Sequence, residues 1–178
     1  MKSDFDLIEE ITAGDAAAFR VLIEKHQKHV INVIYSMTGQ VQDAHDIAQE
    51  VFIKVYKNLA YFKMKAKFST WIYRIAINET YNYIKKEKKH GFIKESERQN
   101  IKTFENIESR ETQELVNKAI EKLPYKYRVV LVLKEIEDLS YKQISETLNC
   151  RIGTVESRLF RARNILKKTL LPYYKEGC

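Results

Sequence analysis

Hydrophobic positions in the C-terminal part of the chain recur every three or four residues in two short stretches. They are Ile144 and Leu148 in the first stretch, and Val155, Leu159, Ala162 and Leu166 in the second. This spacing places each set on one face of a helix. Ser140 with Gln143 three residues later forms a capping-box pattern, and Asn149 suits a left-handed helix end. The pattern predicts a helix-turn-helix within residues 139–168.

The same periodicity predicts four helices in the N-terminal half. Their predicted first residues or caps are Ser3, Asp15, Asp43 and Phe68. The first helix is expected to end at Gly14 and the second at about Met37. The apolar sides expected to face inward are Phe5, Ile8 and Ile11 in the first helix; Phe19, Leu22, Ile23, Val30, Val33, Ile34 and Met37 in the second; Ala44, Ile47, Ala48, Val51, Val55 and Leu59 in the third; and Ile72, Ile75, Ala76 and Ile84 in the fourth.

Apolar residues become sparse and lose their period after the fourth helix. Helical spacing resumes from Arg110 to Lys122, and Pro124 suits the start of another helix. Tyr127, Val130, Leu131 and the segment from Leu133 to Ile136 are expected to build a small core under the helix-turn-helix. The predicted fold is all-α, with a helical domain at 1–90, a flexible linker at 91–109 and a helix-turn-helix domain at 110–178.

Composition narrows the class of protein. The 178 residues include only five Gly and two Pro, which suits a helical protein, and the net charge is +7. No apolar run approaches the roughly eighteen residues that a membrane span needs. The two cysteines, Cys150 and Cys178, are far apart and lack metal-ligand spacing. A reduced, cytoplasmic protein is expected.

Charge is concentrated in two basic segments. Residues 1–62 hold six basic and nine acidic side chains, whereas residues 63–89 hold eight basic and two acidic ones. Residues 151–168 hold six basic side chains and one acid, Glu156. Two separate contacts with nucleic acid fit this distribution better than one contact does.

The second helix of the helix-turn-helix carries candidate DNA contacts. Thr154, Ser157, Arg158 and Arg161 lie opposite its apolar face, and Arg151 precedes it. Such a helix can enter a DNA major groove and place arginine and polar side chains on base edges. A solvated basic face on an ordinary helical hairpin is the alternative interpretation.

The fourth helix mixes aromatic, amide and basic side chains. These are Trp71, Tyr73, Arg74, Asn78, Tyr81, Asn82 and Lys85. Bases of single-stranded nucleic acid stack on aromatic rings, while cations follow the backbone. The alternative is that Trp71 and some tyrosines belong to the core.

The third helix carries a polar strip at Asp46, Gln49, Glu50 and Ile53. It is interpreted as an acidic docking surface for a basic partner helix, and alternatively as a solvated face. A metal site at Asp43, His45, Asp46 and Glu50 is not favoured, because His45 projects about 100° from Asp46 and the group does not converge. The sequence contains no Gly-rich phosphate loop and no arrangement typical of a catalyst, so neither a metal nor a cofactor is expected.

These motifs, in this order, resemble those of bacterial RNA polymerase sigma factors of the extracytoplasmic-function (ECF) group, in the sigma-70 family. DAHDIAQEVFIKVYKNL resembles the helix that docks on the polymerase clamp, FSTWIYRIAINETYNYIKK the segment that melts and reads the −10 element, and LSYKQISETLNCRIGTVESRLFRAR the motif that reads the −35 element. The resemblance implies a promoter-specificity subunit whose partners are core RNA polymerase, promoter DNA and an anti-sigma factor, often membrane-bound. A helix-turn-helix regulator that binds duplex DNA alone remains the alternative.

The resemblance also implies roles for individual residues. Asp46, Gln49, Glu50 and Ile53 would contact the polymerase. Those expected at the opened −10 strand are Lys65, Lys67, Phe68, Trp71, Arg74 and Asn78, with Asn78 and the loop at 65–68 holding a flipped base. Those expected at the −35 duplex are Arg151, Thr154, Glu156, Ser157, Arg158 and Arg161. Glu156 stands where many relatives have Lys or Arg, so the contact at that position is expected to differ.

Overall fold

The computed structural model describes residues 2–64, 66–90 and 110–175, and those ranges contain helices and no β-strand. The helices are α1 (Asp4–Thr12), α2 (Ala16–Thr38), α3 (Val41–Asn58), a 3-10 turn (Leu59–Tyr61), α4 (Phe68–His90), α5 (Arg110–Glu121), α6 (Tyr125–Glu135), α7 (Tyr141–Leu148) and α8 (Ile152–Lys175). This confirms the predicted all-α class. The predicted linker at 91–109 lies outside the described residues.

Most predicted helix boundaries agree with the structure, and one does not. Ser3 and Ser140 both form capping boxes, and the Asp15 carboxylate accepts bonds from two backbone N–H groups of α2. Asp43, however, is not a cap, because α3 begins at Val41 and its N-cap residue Gln40 makes no side-chain capping bond. Asp43 lies in the first turn instead, where a carboxylate still interacts favourably with the positive end of the helix dipole.

Helix α2 lies at the centre of the N-terminal half and packs against α1, α3 and α4. Its predicted stripe faces the core, although Phe19 and Ile23 are only half-buried. In α1 the prediction for Phe5 was wrong: Phe5 is exposed, and Leu7 is buried in its place beside Ile8. The six residues expected to be buried in α3 and after it are all buried.

The helix-turn-helix forms as predicted. Asn149 ends α7 in the left-handed conformation, with φ 48° and ψ 51°, and α8 begins three residues later. Ile144, Val155, Leu159 and Ala162, which are among the apolar positions expected to pack in the motif, are buried. Helix α8 continues beyond the predicted motif to Lys175.

The small core expected under the helix-turn-helix forms, but much of it is continuous with the core of the N-terminal half. One continuous apolar cluster runs from Leu7 and Ile8 in α1 through to Val155 and Leu159 in α8. A second cluster among the described residues lies around Ile120, Leu123, Leu131 and Ala162. The physical reason is helix α6, in which the consecutive residues 129–133 are all buried. A helical stretch that is buried all round needs neighbours on more than one side, and α2 of the other half supplies one of them.

Candidate polymerase and nucleic-acid interfaces

The predicted docking strip lies on the outer surface of α3. Asp46, Gln49 and Glu50 are exposed, and Ile53 is 46% exposed. The opposite face of the helix is buried in the core. We call Asp46, Gln49, Glu50 and Ile53 the docking strip. It presents two carboxylates and an amide around one apolar side chain, which suits a partner helix that is basic with an apolar patch.

The alternative of a metal site on α3 receives no support. Among the residues that the structure describes, no group of three or more His, Cys, Asp or Glu side chains is placed to hold a metal ion. Asp43 is engaged within its own half. Burial, followed by the hydrogen bond to Asp43, raises the pKa of Tyr83 well above its ordinary value, which ties α4 to α3.

Phe68 at the start of α4 does not face solvent. It is 1% exposed, and its ring lies edge-on to Phe62 and to His26. The prediction that Phe68 contacts DNA directly was therefore wrong, because no surface of this ring is available. Phe68 instead forms, with Phe62, the floor on which the half-buried ring of Trp71 rests, at centroid distances of 5.8 and 5.0 Å.

Other residues of this segment take both surface and core positions. Lys67 and Asn78 are exposed, as are Asn82 and Lys85 farther along α4. Tyr73 was expected among the exposed aromatic groups and is instead 5% exposed, with its hydroxyl donating to Glu137 of the other half. Lys65 lies outside the described residues.

Arg74 is at the surface but already has partners. Its Nε donates to the carbonyl of Thr147 at 3.2 Å, and its Nη2 donates to the carbonyl of Glu146. Both carbonyls belong to the last turn of α7, where unpaired backbone oxygens attract a cation. The guanidinium is thus used within the protein in this conformation.

Helix α8 separates its packing face from its polar face. Arg151, Glu156, Ser157 and Arg161 are exposed, and Thr154 and Arg158 are half-buried. Tyr127 lies beside this face, where the hydrogen bond from Arg161 lowers the pKa of the Tyr127 hydroxyl. The six candidates from Arg151 to Arg161 define one continuous surface at the start of α8, which we call the α8 polar face.

Phe160 is a further residue on this surface that the sequence pattern did not single out. Its side chain is 68% exposed, three residues after Ser157 and next to Arg161. A large aromatic group on the polar side of an amphipathic helix was the available signal, because burial cannot explain it.

Comparison with known proteins places these features in a family. The family model for Sigma-70 region 2 matches residues 22–90, and the model for Sigma-70, region 4 matches residues 113–166. The first match contains the docking strip and α4, and the second contains the helix-turn-helix. None of the described helices combines the length and apolar character that crossing a bilayer requires.

Individual relatives agree along the whole chain. The RNA polymerase sigma-H factor of Pseudomonas aeruginosa is 36% identical over 99% of this chain and 98% of its own length. The ECF RNA polymerase sigma factor SigW of Bacillus subtilis is 36% identical over 92% and 94%, and the ECF RNA polymerase sigma-E factor of Escherichia coli K12 is 34% identical over 96% and 95%.

Two solved structures share the fold. One is the sigma factor RpoE in complex with the anti-sigma factor NepR from Bartonella quintana, with a TM-score of 0.73 and 24% identity over 85% of this chain and 96% of that one. The other is CnrH in complex with the cytosolic domain of CnrY, also with a TM-score of 0.73 and 24% identity, over 95% and 97%. The motifs, their order along the chain and these whole-length matches show that the chain belongs to the sigma-70 family and is a sigma factor of the ECF group.

Proposed function

We propose that this sigma factor binds core RNA polymerase through the docking strip and engages a promoter through α8 and α4. The α8 polar face would contact the −35 duplex, while Asn78 and its neighbours on α4 would hold the opened −10 strand. The observation that carries the proposal is the docking strip itself. Asp46, Gln49, Glu50 and Ile53 are exposed on the side of α3 that faces away from a well-packed core, so burial within the chain does not account for this set of side chains.

Binding alone accounts for the promotion of melting. Asn78, exposed on α4, has amide groups that can pair with a base edge only after that base has left the duplex. Trp71 and Tyr81 provide aromatic surface in the same segment. A ligand shifts an equilibrium by the difference in its affinity for the two states, so a protein that binds open DNA better than closed DNA favours opening. No chemical step by the protein is needed.

Glu156 is expected to shape the choice of promoter. It is exposed on the α8 polar face, among Arg151, Ser157 and Arg161. A carboxylate repels phosphates but accepts a hydrogen bond from the amino group of cytosine. The −35 element preferred by this factor would therefore differ, at the base pair that Glu156 faces, from the element preferred by relatives with Lys or Arg at this position.

A pull-down with purified core polymerase tests the proposal. The unaltered protein should retain core polymerase, and the double substitution Asp46→Lys with Glu50→Lys should abolish that retention. Glu9→Lys with Glu24→Lys is a matched control, because it reverses two exposed charges on α1 and α2 and should leave retention unchanged. Retention that persists in the docking-strip variant would remove the strip from the interface.

The strand-binding role of α4 is tested separately. Asn78→Ala should weaken binding to a single-stranded −10 oligonucleotide more than binding to the −35 duplex. Asn164→Ala, which removes an exposed amide from α8, is the control and should leave binding to the single-stranded oligonucleotide unchanged. Equal losses on both ligands would contradict the assignment of Asn78.

The remaining partner is inferred from the relatives. The RpoE structure that shares this fold is a complex with an anti-sigma factor, which supports the proposal that an anti-sigma protein binds this chain. Because polymerase and promoters are cytoplasmic in bacteria, the proposed function places the protein in that compartment.

A further inference from the structure

The three arginines of the α8 polar face differ in what surrounds them. Arg161 Nη1 donates a hydrogen bond to the hydroxyl oxygen of Tyr127 on α6, at a distance of 3.4 Å. Within the described ranges, the side chains of Arg151 and Arg158 have no hydrogen bond or ion pair of this kind. The fold therefore gives a direction to the guanidinium of Arg161 that it does not give to the other two.

Tyr127 is fixed by its ring and reaches Arg161 with its hydroxyl. Ala162, which directly follows Arg161, is fully buried, and its small side chain lets the tyrosine ring come close to α8. The ring packs, half-buried, against the second apolar cluster of Ile120, Leu123, Leu131 and Ala162. A phenylalanine ring would fill the same space, so packing does not require the hydroxyl. The bond to Arg161 does.

The partner of Arg161 leaves its charge available. Two residues farther along α8, Arg163 Nη2 donates to the carboxylate of Glu135 at 2.7 Å, and its charge is balanced there. A hydroxyl oxygen orients a guanidinium without neutralising it. Lys126 Nζ also lies 5.1 Å from the centroid of the Tyr127 ring. The hydrogen bond from Arg161 lowers the pKa of Tyr127 and the charge of Lys126 lowers it further, which indicates positive surroundings.

The geometry of the bond leaves donors for a ligand. A guanidinium has five N–H donors, and Tyr127 accepts one of those on Nη1. A bidentate contact with the edge of a guanine needs only two. At 3.4 Å the bond is long and therefore weak, so it guides Arg161 without competing strongly with a base. A side chain that is already held also loses less conformational entropy on binding than a free one does.

We propose that Tyr127 is a positioning residue for recognition of the −35 duplex, and that its hydroxyl holds the Arg161 guanidinium in the direction from which Arg161 contacts the edge of one base. Tyr127 then determines sequence preference at that base pair through Arg161. The role in recognition rests on the proposed function, whereas the pair formed by Tyr127 and Arg161 exists without DNA.

Nitrogen-15 relaxation of the arginine Nε–H groups in the full chain tests the pair in the absence of DNA. In the unaltered protein, the Nε–H group of Arg161 should be more ordered than that of Arg151. Tyr127→Phe keeps the ring and removes the hydroxyl, so it should make Arg161 as mobile as Arg151 and leave Arg151 unchanged. An order parameter of Arg161 that does not respond to Tyr127→Phe would overturn the pair.

A double-mutant cycle tests whether the hydroxyl acts through Arg161. The ligand is a duplex selected from a randomised library by the unaltered protein. Tyr127→Phe should weaken binding about threefold to tenfold, as expected for one neutral hydrogen bond, but should have no further effect in a chain that carries Arg161→Ala. Tyr173→Phe is the matched control, because it removes an exposed phenol hydroxyl near the end of α8 and should leave the affinity unchanged. Equal losses from Tyr127→Phe in both backgrounds would refute the positioning role.

A panel of duplexes with single base-pair changes tests the effect on sequence preference. Tyr127→Phe should reduce discrimination about threefold to tenfold at one base pair, the same one at which Arg161→Ala abolishes it, and should preserve discrimination elsewhere. A purely structural role would weaken binding uniformly across the panel, and that result would refute the proposal.

Failure of the inference and failure of the proposed function give different results. If the relaxation data show the pair but Arg161→Ala binds every duplex as the unaltered chain does, the proposed contact of Arg161 with the −35 element is wrong. If Arg161→Ala loses discrimination at its base pair and Tyr127→Phe does not, Tyr127 alone loses its assigned role.

Discussion

Helices α4 and α8 are both proposed to contact DNA, yet they combine packing and binding differently. In α8 the buried residues Val155 and Leu159 occupy one side, and exposed Ser157 and Arg161 occupy the other. Helix α8 packs against helices of its own half, whereas α4 packs against α2 and α3 and also against α7 of the other half. A helix that packs against one half only has a simple amphipathic pattern, so its binding face can be predicted from the sequence. A helix that packs against both halves lacks such a pattern, and its binding face cannot be predicted in this way.

The strongest test of this contrast replaces one aromatic residue in each helix. Phe68→Ala should lower the free energy of unfolding by about 3–5 kcal/mol, because it leaves a cavity beneath Trp71. Phe160→Ala should change it by less than about 0.5 kcal/mol, since that ring is largely exposed. Urea unfolding of the full chain measures both. Similar losses of stability in the two variants would contradict the assignment of Phe68 to the core and of Phe160 to the surface.

The second test concerns binding by α8. Arg158→Ala should weaken binding to the −35 duplex by about 1–3 kcal/mol, as measured by fluorescence anisotropy at fixed salt. Arg20→Ala is the control, because it removes an arginine paired with Glu24 on the surface of the other half. An unchanged affinity would exclude Arg158 from the interface.

A third test separates the framework of the helix-turn-helix from its contacts. Ser140→Ala removes the capping box of α7 and should cost about 1 kcal/mol of stability. Ser145→Ala, in the middle of the same helix, should cost little, because alanine suits a helix interior. If the two variants unfold alike, the cap contributes nothing measurable.

The smallest expected effect is a dependence of folding stability on pH that arises from His26, which lies beside Phe68 at the start of α4. His26 packs on Phe68, and burial lowers the pKa of His26 although Asp4 partly offsets this. Below about pH 6.5 the unfolded chain therefore binds more protons than the folded one, so stability should be full above that pH and decrease as the pH falls through the lowered pKa. Unfolding at pH 7.5 and 5.5 measures the difference, which His26→Gln should reduce and His45→Gln should not.

Local patterns in the sequence predicted the helices, the caps at Ser3, Asp15 and Ser140, and the turn at Asn149, because each depends on neighbouring residues. They also predicted that the docking strip faces solvent, since α3 has a simple amphipathic period. Phe68 and Tyr73 could not be assigned in the same way. Their burial depends on residues far along the chain, including Glu137, and no local period carries that information.

The shared core escaped prediction for a related reason. Five consecutive buried residues in α6 indicate a helix with neighbours on several sides, but they do not say which helix supplies the last neighbour. The roles of individual DNA-facing residues stay predictions, because they depend on the promoter sequence as well as on this chain.

The exposure of Asp46 and Glu50 has a consequence for how several sigma factors would share one polymerase. Attraction between surface charges fades beyond roughly 8 Å at physiological ionic strength and extends farther in dilute salt. Recruitment of a sigma factor to polymerase through an acidic docking strip of this kind therefore weakens when intracellular potassium rises. A bacterium under osmotic stress would alter the competition among such factors without changing the amount of any of them.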